Sequence, residues 1–330
     1  LWAVAAAVSG LYILFSWERI ADNAGVTNDV DIFMGFIAVA VVIEATRRVV
    51  GPVLALLGLF FLLYAYLGAW IPGTLGHRRY SMERIVQFLY TSTEGIYGIP
   101  MSVSAQYAAL FVLFGTILDK FGGGKLFVDL AFSLTGRLRG GAAKASVVSS
   151  ALFGTVSGSA VANVVVDGVF TIPLMKRTGY KPHVAGAIEA VTSTGGQIMP
   201  PVMGAAAFIM AEITGIQYAE IMKAAAIPAI LYFFSLFVLV DLEAAREKIG
   251  RLSPSEEILK VMSVLKTTGY LLAPLPVLII LIFLDISPMK SVVWSILCIL
   301  SMDLHFSNKR LGLPKTFLLA VDIGMRSISN

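Results

Sequence analysis

A single cysteine, Cys298 in the apolar run SVVWSILCIL, excludes an internal disulfide and any cysteine-built metal cluster. Only three histidines occur, His77, His183 and His305, all in or near polar stretches, so a serine buried in an apolar segment has no evident base. No HExxH sequence, phosphate-binding loop or dinucleotide fingerprint is present. Charge is equally scarce, 14% Asp, Glu, Lys and Arg against 57% apolar residues, with a mean hydropathy of +0.83. Such a chain cannot cover a water-soluble surface, and it reads as an all-α, polytopic membrane protein. In that setting the net charge of +4 bears on the side of the bilayer where Lys and Arg fall, and no nucleic-acid partner is expected.

Charge-poor runs fall at 1–17, 32–43, 49–76, 95–118, 145–175, 190–211, 224–240, 268–284 and 291–302. A span needs about 20 apolar residues, fewer where its ends are polar, so most of these are credible crossings. The opening LWAVAAAVSGLYILF lacks a basic lead and a cleavage site, and the far end, FLLAVDIGMRSISN, reads as an apolar segment just beginning. Both ends therefore read as cuts through helices, and the chain as the N-terminal part of a longer protein.

Arg47 and Arg48 place the end of the second run inside, opposite the acid-rich loop 18–31. HRRYSMER then lands outside, against the rule, which a surface-lying amphipathic helix over about 81–92 would accommodate. The stretch FVDLAFSLTGRLRGG, flanked by Lys125 and Arg137, is too short to cross and reads as interfacial. Residues 144–176 are long for one helix, carry Gly154, Gly158 and Gly168, and have basic residues at both ends. A re-entrant helical hairpin that enters and leaves on the cytoplasmic face satisfies all three features. The next segment, 184–213, then goes out as a broken helix, and 224–240 returns to a charged cytoplasmic linker at 241–266.

Two stretches interrupt helical continuity at membrane depth: Ser157-Gly158-Ser159 in the hairpin, and TGGQIMPP over 194–201. Prolines 200 and 201 remove donors, while Gly195 and Gly196 permit unusual backbone. Non-helical backbone is tolerated in a bilayer only where protein or a watery cavity satisfies it. Its carbonyls, with neighbouring hydroxyls, are hard oxygen ligands suited to an alkali cation, and half-helix N-termini favour anions. Asn163, one turn beyond the tip, adds a side-chain oxygen. Taken singly these glycines and serines fit ordinary helix packing better; it is the pair of breaks in adjacent segments that favours a binding site. Asp167, Glu189 and Glu212 lie in or beside apolar segments, where a charge is costly and tends to be functional. Glu189 precedes the break by one to two turns, and pairing with a Lys or Arg near the cytoplasmic face is the alternative role. Glu44 beside Arg47 and Arg48 reads as an interfacial pair, and Tyr64, Tyr66 and Trp70 as interface anchors.

The segments SSALFGTVSGSAVANVV, FTIPLMKRTGY and AVTSTGGQIMPPVMGAAAFIMAE resemble the large membrane subunit of the tripartite ATP-independent periplasmic (TRAP) transporters, specifically fused permeases of the TAXI type. TEGIYGIP, LTGRLRGG and EATRRVVG fit the same group. The resemblance implies a multi-pass permease of a bacterial or archaeal cytoplasmic membrane. It implies a sodium-coupled elevator that receives a small organic anion, such as a dicarboxylate or amino acid, from a TAXI-type periplasmic binding protein. By position it implies a sodium half-site of Ser157, Gly158, Ser159, Asn163, Gly195, Gly196, Ile198 and Pro200. For the substrate, Ser159, Gln197 and Glu189 are the expected contacts. Residues 1–92 resemble a fused small subunit, 93–240 the first repeat of the transport domain, and 267–330 scaffold helices with the start of a second half.

That family's core is an inverted repeat, yet residues 141–215 hold ten glycines and 242–330 only four, with no second SGS or GGQxxPP. The second repeat is expected to be absent, and this chain alone is not expected to transport. Three other classes remain: a passive channel, because broken helices also line filters; an intramembrane serine protease built on VSGSA, which would need a base near Ser157; and a purely structural membrane scaffold, which leaves the paired breaks unexplained.

Overall fold

The computed structural model describes residues 1–22, 26–250 and 260–306. Helix makes up 81% of the structure, and the described residues contain no strand. Arg251 of the charged linker, the basic residues Lys309, Arg310 and Lys315, and the expected beginning of a second half after 306 lie outside the described residues. The chain divides into two compact units, Leu1–Ser102 and a second from Val103 onward.

The first unit holds α1 (Trp2–Asp22), α2 (Asp29–Val49), α3 (Pro52–Leu67) and α4 (Met82–Tyr90). A capping box fixes the start of α2: the Asn28 side chain accepts from the Asp31 backbone N–H, while the Asp31 carboxylate accepts from the Asn28 N–H. Asp31 is wholly buried and takes hydrogen bonds from Tyr12 and Arg19 of α1, so this acid staples two helices rather than sitting in a solvated loop. Glu44 pairs with both Arg47 and Arg48 at 2.7 Å, as the spacing suggests. Amphipathic α4 buries Val86 and Tyr90. Gly35 of α2 makes room for it, since a Cβ there would stand 2.4 Å from Val86 Cγ1, and Tyr90 Oη donates to the Ser9 carbonyl at 2.7 Å.

Further along, α5 (Ile99–Val103) runs through a π-helical turn, Ser104–Ala108, into α6 (Ala109–Lys120). In the second unit α7 (Gly123–Thr135) leads to the pair α8 (Gly141–Ser157) and α9 (Ala160–Arg177), the hairpin seen in the glycine pattern. α7 buries Leu126, Phe127, Val128 and Ala131 against its neighbours in this unit. The broken helix follows: α10 (Pro182–Thr194), a 3-10 turn at Gly195–Gln197, an unwound segment, then α11 (Ala205–Thr214). α12 (Tyr218–Arg246) is 29 residues long and carries helix through the first charged residues of the expected linker. α13 (Val261–Thr268), α14 (Pro274–Phe283) and α15 (Pro288–Phe306) complete the described chain.

Among the described residues, four helices are long and apolar enough to cross a membrane: Trp2–Asp22, Pro52–Trp70, Ile99–Lys120 and Tyr218–Arg246. The 48° bend between Val261–Leu272 and Pro274–Phe283 makes that pair a broken span or a re-entrant loop. The core of the second unit gathers Ala142, Ala143 and Val147 of α8, Met175 of α9, Ile188 of α10 and Phe233, Leu236 and Val240 of α12. Small residues on α8 let neighbouring helices close around it, and 13 of its 17 residues are buried.

Candidate functional site

The hairpin turns in two residues. Gly158 ends α8 in the left-handed region, φ 58°, where a side chain is disfavoured, and Ser159 caps α9 by accepting from the Ala162 N–H at 3.3 Å. The tip leans on the unwound part of the broken helix. A Cβ on Gly158 would stand 1.9 Å from the Met203 carbonyl oxygen, and one on Gly154 only 2.7 Å from Gly196 Cα. Gly196 in turn lies against Asn163, 2.9 Å from the position of its would-be Cβ to the amide nitrogen. The two glycine-rich interruptions, about forty residues apart in sequence, are therefore in contact through absent side chains.

Between Gln197 and Ala205 the backbone makes its own closures: Met203 N–H donates to Met199 O at 3.2 Å and Gly204 N–H to Gln197 O at 2.8 Å. Met203 takes φ 54°, and the Pro200–Pro201 peptide is cis. Tyr218 supplies what the segment lacks. Its buried hydroxyl lies 2.8 Å from the Pro201 carbonyl and 2.6 Å from that of Val202, so its one proton serves carbonyls freed by the break. Phe208 then stacks between Tyr107 of the π-helical turn, at 5.1 Å, and Tyr218, at 4.6 Å, holding α11 in place. Neither Tyr218 nor Tyr107 is distinguishable by spacing from the chain's other tyrosines.

Of the residues expected at a cation site, Ser157, Gly158 and Ser159 form the tip, and Asn163 and Gly196 meet behind it. Gly195 packs instead against Tyr232 and Phe233 of α12. Ile198 is exposed, Pro200 half-buried and Gln197 exposed on the unwound segment. Glu189 stands apart from these, wholly buried, with Ser146 and Thr171 donating to Oε2 and Ser193 to Oε1. Its partners are hydroxyls, not a Lys or Arg. Asp167 is its neighbour in a buried polar layer, accepting from Ser149 at 3.0 Å and Ser150 at 3.2 Å. Ser146, Ser149 and Ser150 recur at i, i+3 and i+4 within an otherwise apolar helix, a pattern that places all three on one face and marks the layer in the sequence.

At the base of the hairpin, Lys144 is buried against α12, 2.6 Å from Asp241 and 4.9 Å from the centre of the Phe237 ring. Arg139 also pairs with Asp241. Ser157, the serine of VSGSA, has hydrogen-bond partners within the turn itself and no histidine partner among the described residues.

The family described as "Tripartite ATP-independent periplasmic transporter, DctM component" matches residues 37–328. The chain is 34% identical over 136 residues to the protein YgiK of Salmonella typhimurium, covering 41% of this chain and 31% of YgiK. To the C4-dicarboxylate TRAP transporter large permease protein DctM of Vibrio cholerae it is 26% identical over 170 residues, 52% of this chain and 36% of that one. To the 2,3-diketo-L-gulonate TRAP transporter large permease protein YiaN of Escherichia coli K12 it is 28% identical over 151 residues, 46% and 35% of the two chains. The chain thus spans about a third of the length of these curated relatives.

Proposed function

Because the chain belongs to the DctM family of tripartite ATP-independent periplasmic transporters, a family of multi-pass membrane permeases, we propose that it forms part of a sodium-coupled secondary transporter importing a small organic anion. The observation that carries this reading is the contact between the hairpin tip and the unwound segment, Gly158 against Met203 and Gly154 against Gly196. Backbone carbonyls and hydroxyls of two interrupted helices meet there, the arrangement by which discontinuous helices bind alkali ions and anionic substrates in secondary transporters.

In this reading Ser157, Gly158, Ser159, Asn163, Gly195, Gly196, Ile198 and Pro200 supply the sodium half-site, as ligands or as the close packing that shapes it. Ser159 and Gln197 face the substrate, with Glu189 supporting the layer beneath. A periplasmic binding protein of the TAXI type delivers the anion, and the hairpin with its broken helix moves as the elevator body. The Vibrio cholerae and Escherichia coli relatives are named for a C4-dicarboxylate and for 2,3-diketo-L-gulonate, both organic anions, which favours that class. Uptake of radiolabelled organic anions by the full-length permease, with its binding protein and with sodium or choline outside, tests the reading. Sodium-requiring, binding-protein-requiring uptake supports it; an ionic current with neither substrate nor binding protein supports a channel.

A further inference from the structure

Asn163 and Asp167 stand one turn apart on α9 and therefore share a face. Both reach Ser150 of α8. The Asn163 Nδ2 donates to the Ser150 carbonyl at 3.1 Å, and the Ser150 hydroxyl donates to Asp167 Oδ2 at 3.2 Å. Donation to a carbonyl fixes the amide's orientation, so the other end of Asn163 is its oxygen. That oxygen and the second carboxylate oxygen, Asp167 Oδ1, are both buried and have no hydrogen-bond partner among the described residues.

Both residues are wholly enclosed. An acceptor-only oxygen in such a place calls for a donor or a cation, and a carboxylate calls for positive charge. Among the described residues none answers: the ionisable groups facing Asp167 are Glu189 on α10 and Asp119 on α6, both acids. Glu189 differs from Asp167 in a decisive way, because hydroxyls occupy both of its oxygens. One acid is closed by the protein and the other is left open. One carboxylate, one amide oxygen and serine hydroxyls form a hard, singly charged donor set. That set suits a monovalent cation better than a divalent one, which would draw on several carboxylates. No cluster of three or more His, Cys, Asp or Glu able to hold a metal occurs among the described residues.

We infer that Asp167 and Asn163 hold a sodium ion in the layer beneath the hairpin tip, with Asp167 supplying the compensating charge. The inference deepens the sodium-coupled reading proposed above and rests on it. Occupancy would tie α8 to α9 at Ser150, directly behind the contact between Asn163 and Gly196.

The test uses the full-length permease and sodium as probe. Thermal stability in detergent and uptake in proteoliposomes are both titrated with sodium chloride against choline chloride, at two pH values, for wild type and Asp167→Asn. The expected result is a rise of about tenfold or more in half-saturating sodium for Asp167→Asn, in both measurements. Asn163→Ala, which keeps the charge and removes one oxygen, is expected to shift in the same direction, and it serves if Asp167→Asn does not fold. A wild type that saturates with sodium alongside variants with unchanged half-saturation overturns this inference and leaves the sodium-coupled reading standing. A wild type indifferent to sodium overturns both. Variants that lose a pH response but keep the sodium response assign the site to a proton, and overturn the inference.

Discussion

Gly154 of α8 and Gly196 of the broken helix meet so closely that a single methyl group has no room between them, 2.7 Å from the built Cβ of Gly154 to Gly196 Cα. The neighbour is backbone, not the end of a flexible side chain, so relief requires the two elements to part. Gly154→Ala is expected to cost about 1–3 kcal/mol by overpacking. Gly186→Ala, on α10 with nothing within 4 Å of its built Cβ, is the control and is expected to be neutral or stabilising by up to about 1 kcal/mol. Thermal melts of the two variants in the full-length permease decide it; equal melting temperatures would contradict the contact.

At the tip, Gly158→Ala meets two penalties at once. The left-handed backbone costs about 1–2 kcal/mol for an L-residue. The Met203 carbonyl, 1.9 Å from the built Cβ, must also retreat. Uptake is expected to fall further than stability does, because the displaced carbonyl lies in the unwound segment. Comparing initial uptake rates with melting temperature checks this, and wild-type uptake would show that the close approach is dispensable.

Tyr218→Phe removes one hydroxyl that serves the carbonyls of Pro201 and Val202. Leaving a buried acceptor unpaired costs about 1–3 kcal/mol. The stacking on Phe208 survives the change, so the loss reports the hydrogen bond alone, and hydrogen exchange of residues 202–206 is expected to speed up relative to α12.

The hairpin base predicts an asymmetry. Lys144→Met leaves Asp241 paired with Arg139 and partly exposed, so its cost is near that of a surface pair, about 1 kcal/mol. Asp241→Asn strands the buried Lys144 and is expected to cost about 3 kcal/mol or more. Denaturant titrations that rank the two variants the other way would contradict the view that Asp241 is the group that compensates the buried Lys144.

Much of the architecture was legible because hydropathy and basic flanks are coarse signals. The hairpin over 144–176 and the interruption at 194–201 both stand where glycine, serine and proline break apolar runs. The amphipathic stretch after Ser81 forms α4, although Tyr90 docks it onto α1 through Ser9. Residues 123–135 looked interfacial because Lys125 and Arg137 flank a short apolar run. The structure adds which side of that helix is buried, a matter of what packs beside it, which a run of residues does not encode. Glu189 stood out among the acids by its place before the break. What separates it from Asp167 is the number of hydroxyls reaching each carboxylate, and those come from α8, α9 and α10 together. Tyr218 was invisible for the same reason, since its role depends on a segment folded back against it.

The most direct test of the account is uptake of an organic anion by proteoliposomes holding the full-length permease, with binding protein outside and an inward sodium gradient imposed or withheld. The account predicts accumulation only when binding protein and sodium gradient are both present, and its loss in Gly158→Ala. Equal accumulation with potassium in place of sodium, or without the binding protein, would contradict it.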